Sequence, residues 1–552
     1  MNQIRVLLWA ALLTMLWLGF SQWTEDYGAP PPPPGVAEEP PPALPEATSL
    51  PGITEVPPAL PQTSADQPAA TAPASQIRIV TDVLDVVVDA EGGDLVRADL
   101  LEYPVNKDDP NDLVRLLDYE PATRWIFQTG VRDLQTANGP THLATYSSRQ
   151  NRYELTGGRD ELVVTLDWDD GQGLSAHKTY TFRRGSYAVE LDVQILNDTI
   201  APWNAMPYLQ MLRRHVPSER SFMNVDSYSY TGPVLYNGDS SDKPDVEDLV
   251  TEPITEAMYT NGWFASIQHH FLAAAVPPAD TPFIFSATAA DDRYVLTARG
   301  ETLVIPAGGS ANFAAQLFVG PKLQDQLEAT AEGLVLTVDY GVLTTLAGPL
   351  FWLLDKAHGF LGNWGLAIIA VTFLIKLVFF PLTQMSGRSM AKMRKLAPRL
   401  KALQERYKDD RQALSQAMME LYKKEKANPA AGCLPMLIQM PFFFAFYWVL
   451  IESVEMRQAP FFGWIDDLST RDPYFVLPAL MAGAMFFQTK LNPTPPDPVQ
   501  ARIMQFMPLI FSVMFAFFPA GLVIYWLTNT VLGIAQQWQV NRAVAAESSG
   551  SH

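Results

Sequence analysis

Residues 364–382 read WGLAIIAVTFLIKLVFFPL, and this stretch decides how the C-terminal half of the chain is interpreted. About 19 residues suffice for an apolar helix to cross a bilayer. Lys376 lies inside the run, and Thr372 lies one helical turn earlier on the same face. A charge at that depth is costly, so it is expected to face a protein interior or a wet cavity and to mark function. Snorkelling of the long Lys376 side chain to the interface is the alternative.

Five other apolar runs have lengths near that of a membrane span: residues 4–20, 433–451, 474–488, 503–518 and 520–534. Residues 388–426 connect two of the runs and carry 12 basic and 5 acidic side chains, so the positive-inside rule places them in the cytoplasm. Six spans then put both termini in the cytoplasm. Alternatively, the first run is a cleaved signal peptide.

Charge divides the chain into two parts. Residues 21–345 contain 46 acidic and 19 basic side chains, whereas the remaining residues are net basic and the whole chain carries −20. This asymmetry indicates two compartments. Residues 25–75 hold 15 prolines and no basic residue, which predicts an extended linker. The single cysteine, Cys433, excludes a disulfide framework for the exported part.

Residues 77 to about 320 show the alternation typical of β-strands. In the stretch HKTYTFRRGSYAVELDVQILN, apolar side chains alternate into a turn at Gly185 and out again, which predicts a hairpin. Regular short strands over this length indicate a large sandwich. Residues 323–358 change to a helical period and are expected to include a helix lying along the outer membrane face.

Apolar residues at helical spacing in residues 384–426 predict a basic helical hairpin. It is either a solvated pair of helices that only sets topology or a docking arm for ribosome, RNA or anionic lipid. Its candidate contact residues are Arg388, Lys392, Arg394, Lys395, Arg399, Lys423, Lys424 and Lys426.

Polar side chains are sparse in the later apolar runs. Tyr525, Thr528 and Asn529 have i, i+3, i+4 spacing, so they share one helix face. No acidic residue lies within any run, so Lys376 has no buried counter-ion in the sequence. An unpaired cation requires water or an anionic visitor, which predicts a wet groove. No nucleotide-binding loop, His/Cys cluster or nucleophile elbow is found, so no cofactor, metal or enzymatic activity is expected.

The chain resembles the YidC membrane-protein insertase family of the Gram-negative type with a large periplasmic domain. In the C-terminal half the resemblance rests on NPAAGCLPMLIQMPFFFAFYWVL, TFLIKLVFFPL before MAKMRKLAPRL, SVEMRQAPFFGWIDDLSTRDPYFVLP and FPAGLVIYWLTNTVLGIAQQ. In the exported part it rests on GWFASIQHHFLAAAVP and YTFRRGSYAVELDVQILN.

The resemblance implies a multi-domain membrane protein with a periplasmic all-β, supersandwich-like domain and a membrane bundle of six helices, five of which enclose a hydrophilic groove. The family's basic groove residue falls on Lys376, where many members have arginine with its planar fork. Thr372, Gln439, Tyr525 and Trp526 match other groove positions. The resulting domains are an anchor (1–22), a linker (23–76), the β domain (77–320), interfacial helices (321–360), the insertase core (361–540) with its hairpin (384–427), and a short tail (541–552).

The function that follows is insertion and folding of inner-membrane proteins, alone or with the Sec translocon. Nascent membrane proteins, the Sec translocon, the ribosome with the signal recognition particle pathway, and membrane lipids are the expected partners. Because the tail after residue 539 contains only one basic residue, Arg542, its ribosome contact is expected to be weak. The alternatives are a transporter that binds an anionic solute at Lys376 and a membrane-anchored periplasmic glycan-binding protein.

Overall fold

A computed structural model of the chain describes residues 76–133, 139–217, 229–407, 410–425, 430–491 and 498–549. They all fall within the compact unit Ala72–His552. The predicted N-terminal anchor, nearly all of the proline-rich linker and the last three residues of the tail lie outside the described residues.

Strands occupy the first half of the described chain. They are β1 (Gln76–Val80), β2 (Leu84–Asp89), β3 (Asp94–Asn106), β4 (Asp109–Leu117), β5 (Trp125–Arg132), β6 (Ser147–Ser148), β7 (Arg152–Glu154), β8 (Glu161–Asp169), β9 (Leu174–Arg183), β10 (Ala188–Asn197), β11 (Trp203–Arg214), β12 (Thr231–Tyr236), β13 (Ser241–Asp242), β14 (Ile254–Thr260), β15 (Trp263–Gln268), β16 (Phe271–Val276), β17 (Pro282–Ala290), β18 (Arg293–Arg299), β19 (Leu303–Ile305) and β20 (Gly309–Pro321).

These strands form three sheets. One has the order β4-β3-β2-β1-β7, a larger one β13-β12-β15-β16-β20-β10-β9-β8-β6, and the third β14-β17-β18-β11-β19 with β5 also paired to β11. Neighbouring strands are antiparallel except for β1 and β7. The predicted β-rich segment is therefore confirmed, and its strands are arranged in three sheets.

The hairpin expected around Gly185 is present as β9 and β10. The two strands pair antiparallel from Phe182 and Val189 outward, and alternate side chains are buried along both. Gly185 adopts φ +68°, which a residue without a Cβ reaches at little cost. Local alternation and turn chemistry are thus sufficient to specify this element.

One polar cluster lies inside the β domain. Lys178 on β9 is fully buried, and its Nζ donates to the Asp94 carboxylate at 2.6 Å, the Gly92 carbonyl at 2.8 Å and the Thr129 carbonyl at 3.1 Å. All three donors of the ammonium are therefore satisfied. Because Asp94 and Thr129 belong to strands of different sheets, this cluster ties the three sheets together.

In the part of the chain that the structure describes, helices follow the last strand, apart from one short helix between strands. They are α1 (Asp248–Thr251), α2 (Gln324–Thr330), α3 (Thr344–Leu361), α4 (Trp364–Val378), α5 (Phe380–Arg406), α6 (Arg411–Lys424), α7 (Ala430–Glu452), α8 (Val476–Leu491), α9 (Pro498–Phe515) and α10 (Ala520–Ser549).

The helical segment predicted at 323–358 is interrupted. Between α2 and α3 the chain forms two single 3-10 turns, Leu334–Thr337 and Gly341–Leu343. The first helix ends where Ala331 adopts an extended backbone, and Gly333 and Gly341 adopt φ +73° and +58° in the turns that follow. The prediction of a helical region holds, and these non-helical backbone conformations divide it.

The run at 364–382 does not form one helix, contrary to the sequence prediction. It breaks at Phe379, and Trp364–Val378 and Phe380–Ser389 differ in direction by 63°. Pro381 lies in the first turn of α5, where it has no N–H for the preceding helix and disfavours helical geometry before it. The proline therefore accounts for the break.

The six predicted membrane spans are not confirmed by the lengths and hydropathy of the helices. Within the described ranges, no single helix is long and apolar enough to cross a membrane. The bent pair Trp364–Val378 and Phe380–Ser389 is long and apolar enough when the two helices are taken together. Shorter apolar helical stretches are Leu437–Glu452, Val476–Leu491 and Gln505–Phe515. In the packing of this region, α10 lies against α4, α5 and α8, and α3 lies against α4 and α7.

Candidate functional site

Lys376 and Thr372 lie on α4, as the i, i+4 spacing predicts. Thr372 is buried, and its hydroxyl donates to the Ile368 carbonyl of its own helix at 2.6 Å. Lys376 is half-buried, and among the described residues no side chain or backbone atom forms a hydrogen bond or ion pair with its ammonium. Thr372 is thus occupied by its helix, whereas Lys376 keeps three free donors.

The Lys376 ammonium points toward α10. A Cβ placed on Gly533 would lie 3.8 Å from the Lys376 Nζ and 3.4 Å from the Gln488 Nε2 of α8. Asn529 lies one turn before Gly533 on the same side of α10. Three helices therefore meet where the lysine ends, and one of them has no side chain there.

Tyr525 and Trp526 belong to an aromatic cluster. Tyr525 is buried and stacks on Phe446 of α7, with ring centroids 4.5 Å apart. Trp526 is half-buried and meets Phe443 edge-on at 4.9 Å and Phe515 at 5.3 Å. These rings hold α7, α9 and α10 together, so their first role is packing.

The remaining predicted groove residues are partly accessible. Gln439 on α7 and Thr528 and Asn529 on α10 are each half-buried. On the next turns of α10, the Gln536 amide donates to the Phe380 carbonyl at 3.2 Å. That contact ties α10 to the first residue of α5, just after the break in the apolar run.

The basic hairpin forms as a packed pair of helices. Leu396 and Leu400 of α5 are buried against α6, in contact with Met393, Met418, Leu421 and Tyr422. Arg399 and Glu425 form an ion pair at 2.6 Å across the hairpin, and Asp410 caps α6 through the Gln412 and Ala413 amides. Of the predicted contact residues, those with exposed side chains are Arg388, Lys392, Lys395, Arg399, Lys423 and Lys424. The Arg394 side chain and Lys426 lie outside the described residues.

A buried polar junction, which sequence reasoning missed, joins the β domain to the end of α7. Glu452 accepts a hydrogen bond from Ser229 at 2.8 Å and faces Lys322 Nζ at 3.6 Å, with both charged side chains almost fully buried. His270 Nε2 donates to the Ile451 carbonyl at 2.7 Å. Burial lowers the pKa of His270, so the ring is neutral near pH 7. The partners are far apart in sequence, and no local pattern links them.

Glu455 lies in the 3-10 turn Val454–Met456 that follows this junction. Its Oε2 atom is buried and has no hydrogen-bond partner in the described part of the chain. Burial is the main cause that raises the pKa of Glu455 to about 7; the charges of Asp355 and Asp325 act in the same direction, and a backbone hydrogen bond opposes them. The carboxyl group therefore titrates near neutral pH.

Comparisons with known proteins agree with this architecture. Residues 76–353 match the family model of the YidC periplasmic domain, and residues 356–547 match that of the 60Kd inner membrane protein. The membrane protein insertase YidC of Azotobacter vinelandii is 45% identical over 553 residues, 98% of each chain. That of Methylococcus capsulatus is 48% identical over 471 residues, 85% of this chain and 86% of its own. A solved structure of an active YidC insertase aligns with a TM-score of 0.39 and 20% identity, over 84% of this chain and 92% of the other.

The β-sheet domain, the helical C-terminal region and the two family models define an inner-membrane protein with a periplasmic domain. Nearly full-length identity to curated relatives makes the assignment more specific. The chain belongs to the YidC family of membrane protein insertases, as the sequence motifs predicted.

Proposed function

We propose that this chain inserts and folds integral inner-membrane proteins, alone or with the Sec translocon, through a hydrophilic groove in which Lys376 is the basic residue. The observation that carries the proposal is the half-buried Lys376 ammonium, which has no bonding partner among the described residues and faces α10. A structural lysine at this depth would be paired, because an unpaired buried charge is costly. An ammonium without a partner instead suits a transient anionic or carbonyl ligand.

The proposed mechanism uses Lys376 to hold the polar flank of an arriving segment. The flank enters between α4 and α10, where Lys376, Gln439, Thr528 and Asn529 offer polar contacts. Water in the groove lowers the cost of moving this flank inward. Partition of roughly 20 apolar residues into lipid then drives insertion, so no nucleotide is required. The chain acts as an insertase and chaperone, and no enzymatic step is part of the mechanism.

The proposed topology has six membrane-spanning segments with both termini in the cytoplasm. Its support is the basic character of residues 388–426 and the acidic character of residues 21–345. Thr372, Tyr525 and Trp526 then belong to the insertase core of residues 361–540. Within that core Thr372 positions α4, and the two aromatic residues shape the groove wall.

The proposed partners follow from this orientation. Nascent membrane proteins are the substrates, and the Sec translocon shares some of them. The ribosome and the signal recognition particle pathway deliver chains to the cytoplasmic hairpin, whose exposed lysines also attract anionic lipids. The aromatic and apolar helix surfaces contact membrane lipids.

The test is insertion of a single-spanning substrate into proteoliposomes that contain the purified chain. Lys376→Glu should slow insertion of substrates with acidic exported flanks more than neutral ones, because attraction becomes repulsion. Lys376→Arg is the matched control and should retain activity, since it keeps the charge. Equal losses for both substrates would contradict the role of the charge. Flux of an anionic solute without insertion would instead favour a transporter.

A further inference from the structure

Gly533 marks a small space between three helices. A methyl group at this position would meet the Gln488 amide nitrogen at 3.4 Å and the Lys376 ammonium at 3.8 Å, both ordinary van der Waals distances. Alanine would therefore fit, whereas a branched side chain would occupy the place where the two polar groups end. A glycine inside a helix costs about 1 kcal/mol relative to alanine, so its presence here requires another reason, such as keeping this space open.

The two nitrogens next to Gly533 both belong to donors. An ammonium carries three N–H groups and a primary amide carries two. No hydrogen bond to Lys376 or to Gln488 is found in the described ranges, and both side chains are half-buried. Two donor groups that converge without an acceptor leave room for an oxygen ligand.

Two other polar groups on the surrounding helices are already bonded. The Thr372 hydroxyl is bonded to Ile368, and the Gln536 amide is bonded to Phe380. The sequences of α4, α8, α9 and the first 27 residues of α10 contain no acidic residue. A carboxylate must therefore come from outside these helices.

We infer that Gln488 and Lys376, on either side of Gly533, form a two-donor site for one carboxylate of the polypeptide being inserted. The inference rests on the proposed function and specifies its ligand. Lysine supplies a point charge without arginine's planar pair of N–H groups. Gln488 supplies a second, directional donor, so the carboxylate is bound through both oxygens. Gln488 is thereby a specificity-determining residue that discriminates an acidic flank from its neutral isostere.

The experiment compares two substrates in proteoliposomes made with the full chain. They are identical single-spanning proteins whose exported flank carries either aspartate or asparagine. A hydrogen bond to a charged group is worth roughly 1.5–3 kcal/mol, and about 1.4 kcal/mol is a factor of ten. Gln488→Leu should therefore slow insertion of the aspartate substrate about ten-fold or more and leave the asparagine substrate nearly unchanged.

Gly533 provides a second pair of variants. Gly533→Leu fills the space and should reproduce the selective loss, whereas Gly533→Ala adds only one methyl group there and should give a smaller loss for the same substrate. If the unmodified chain inserts both substrates and Gln488→Leu slows both equally, or neither, the inference is wrong and the insertase function stands. If the unmodified chain inserts neither substrate, the proposed function itself fails.

Lipid phosphate is the other anion that could reach two donors. The same measurement is therefore made in liposomes of phosphatidylcholine alone and in liposomes that also contain phosphatidylglycerol. The effect of Gln488→Leu on the aspartate substrate should be the same in both. An effect that appears only with phosphatidylglycerol would assign the site to a lipid headgroup and overturn its assignment to the inserted chain.

Discussion

Replacing Glu455 with glutamine should make the junction between the β domain and α7 more stable at neutral and higher pH. The folded chain holds the Glu455 carboxyl in a buried position where its Oε2 has no partner, and burial raises its pKa from 4.5 to about 7. In the unfolded chain the group ionises near 4.5. The folded state therefore binds a proton more tightly than the unfolded state.

The sign and size follow from linkage. Stability from this group is fully present below about pH 4.5 and is lost as pH rises through about 7, because only the folded state resists ionisation. Each pKa unit corresponds to about 1.4 kcal/mol, so the total loss is about 3 kcal/mol. Glu455→Gln cannot ionise. Its free energy of unfolding should match that of the unmodified chain at about pH 4.5 and exceed it by up to about 3 kcal/mol at pH 8.

The measurement is urea unfolding of the full chain in detergent micelles at several pH values, followed by far-ultraviolet circular dichroism. Glu301→Gln is the control, since Glu301 is an exposed carboxylate of the β domain. Its effect should be small at every pH. A Glu455→Gln effect that stays constant with pH, or that is larger in acid, would refute the reasoning from burial.

Two further predictions concern the hairpin and the β domain. The double substitution of Leu396 and Leu400 by aspartate should abolish insertion into proteoliposomes, because both side chains are buried between α5 and α6. Substitution of the exposed Lys423 and Lys424 by glutamine should weaken insertion only mildly. If the glutamine variant loses more activity than the aspartate variant at matched protein levels, the hairpin acts through its charge. Deleting residues 77–317 should leave substantial insertion activity, because every groove residue lies after the deletion and Lys322, which faces Glu452 at the end of α7, is retained. Complete loss of insertion by a stably expressed deletion variant would contradict this prediction.

Local patterns in the sequence predicted much of the architecture. Alternating apolar residues around Gly185 specify a hairpin because neighbouring strands and a tight turn need no distant partner. The buried Leu396 and Leu400 were likewise predicted by helical spacing alone. Lys376 was identified because a charged residue within an apolar run can be recognised from the sequence alone.

Contacts between distant segments were not accessible in this way. The meeting of Lys376 and Gln488 at Gly533 depends on how three helices pack, and the junction of Glu452 with Lys322 depends on how the β domain sits on α7. Hydropathy and periodicity assign each residue to a face of its own element, but they do not specify which other element that face meets. The polar partners in the site depend on which elements contact each other, and the packing of the whole domain decides that.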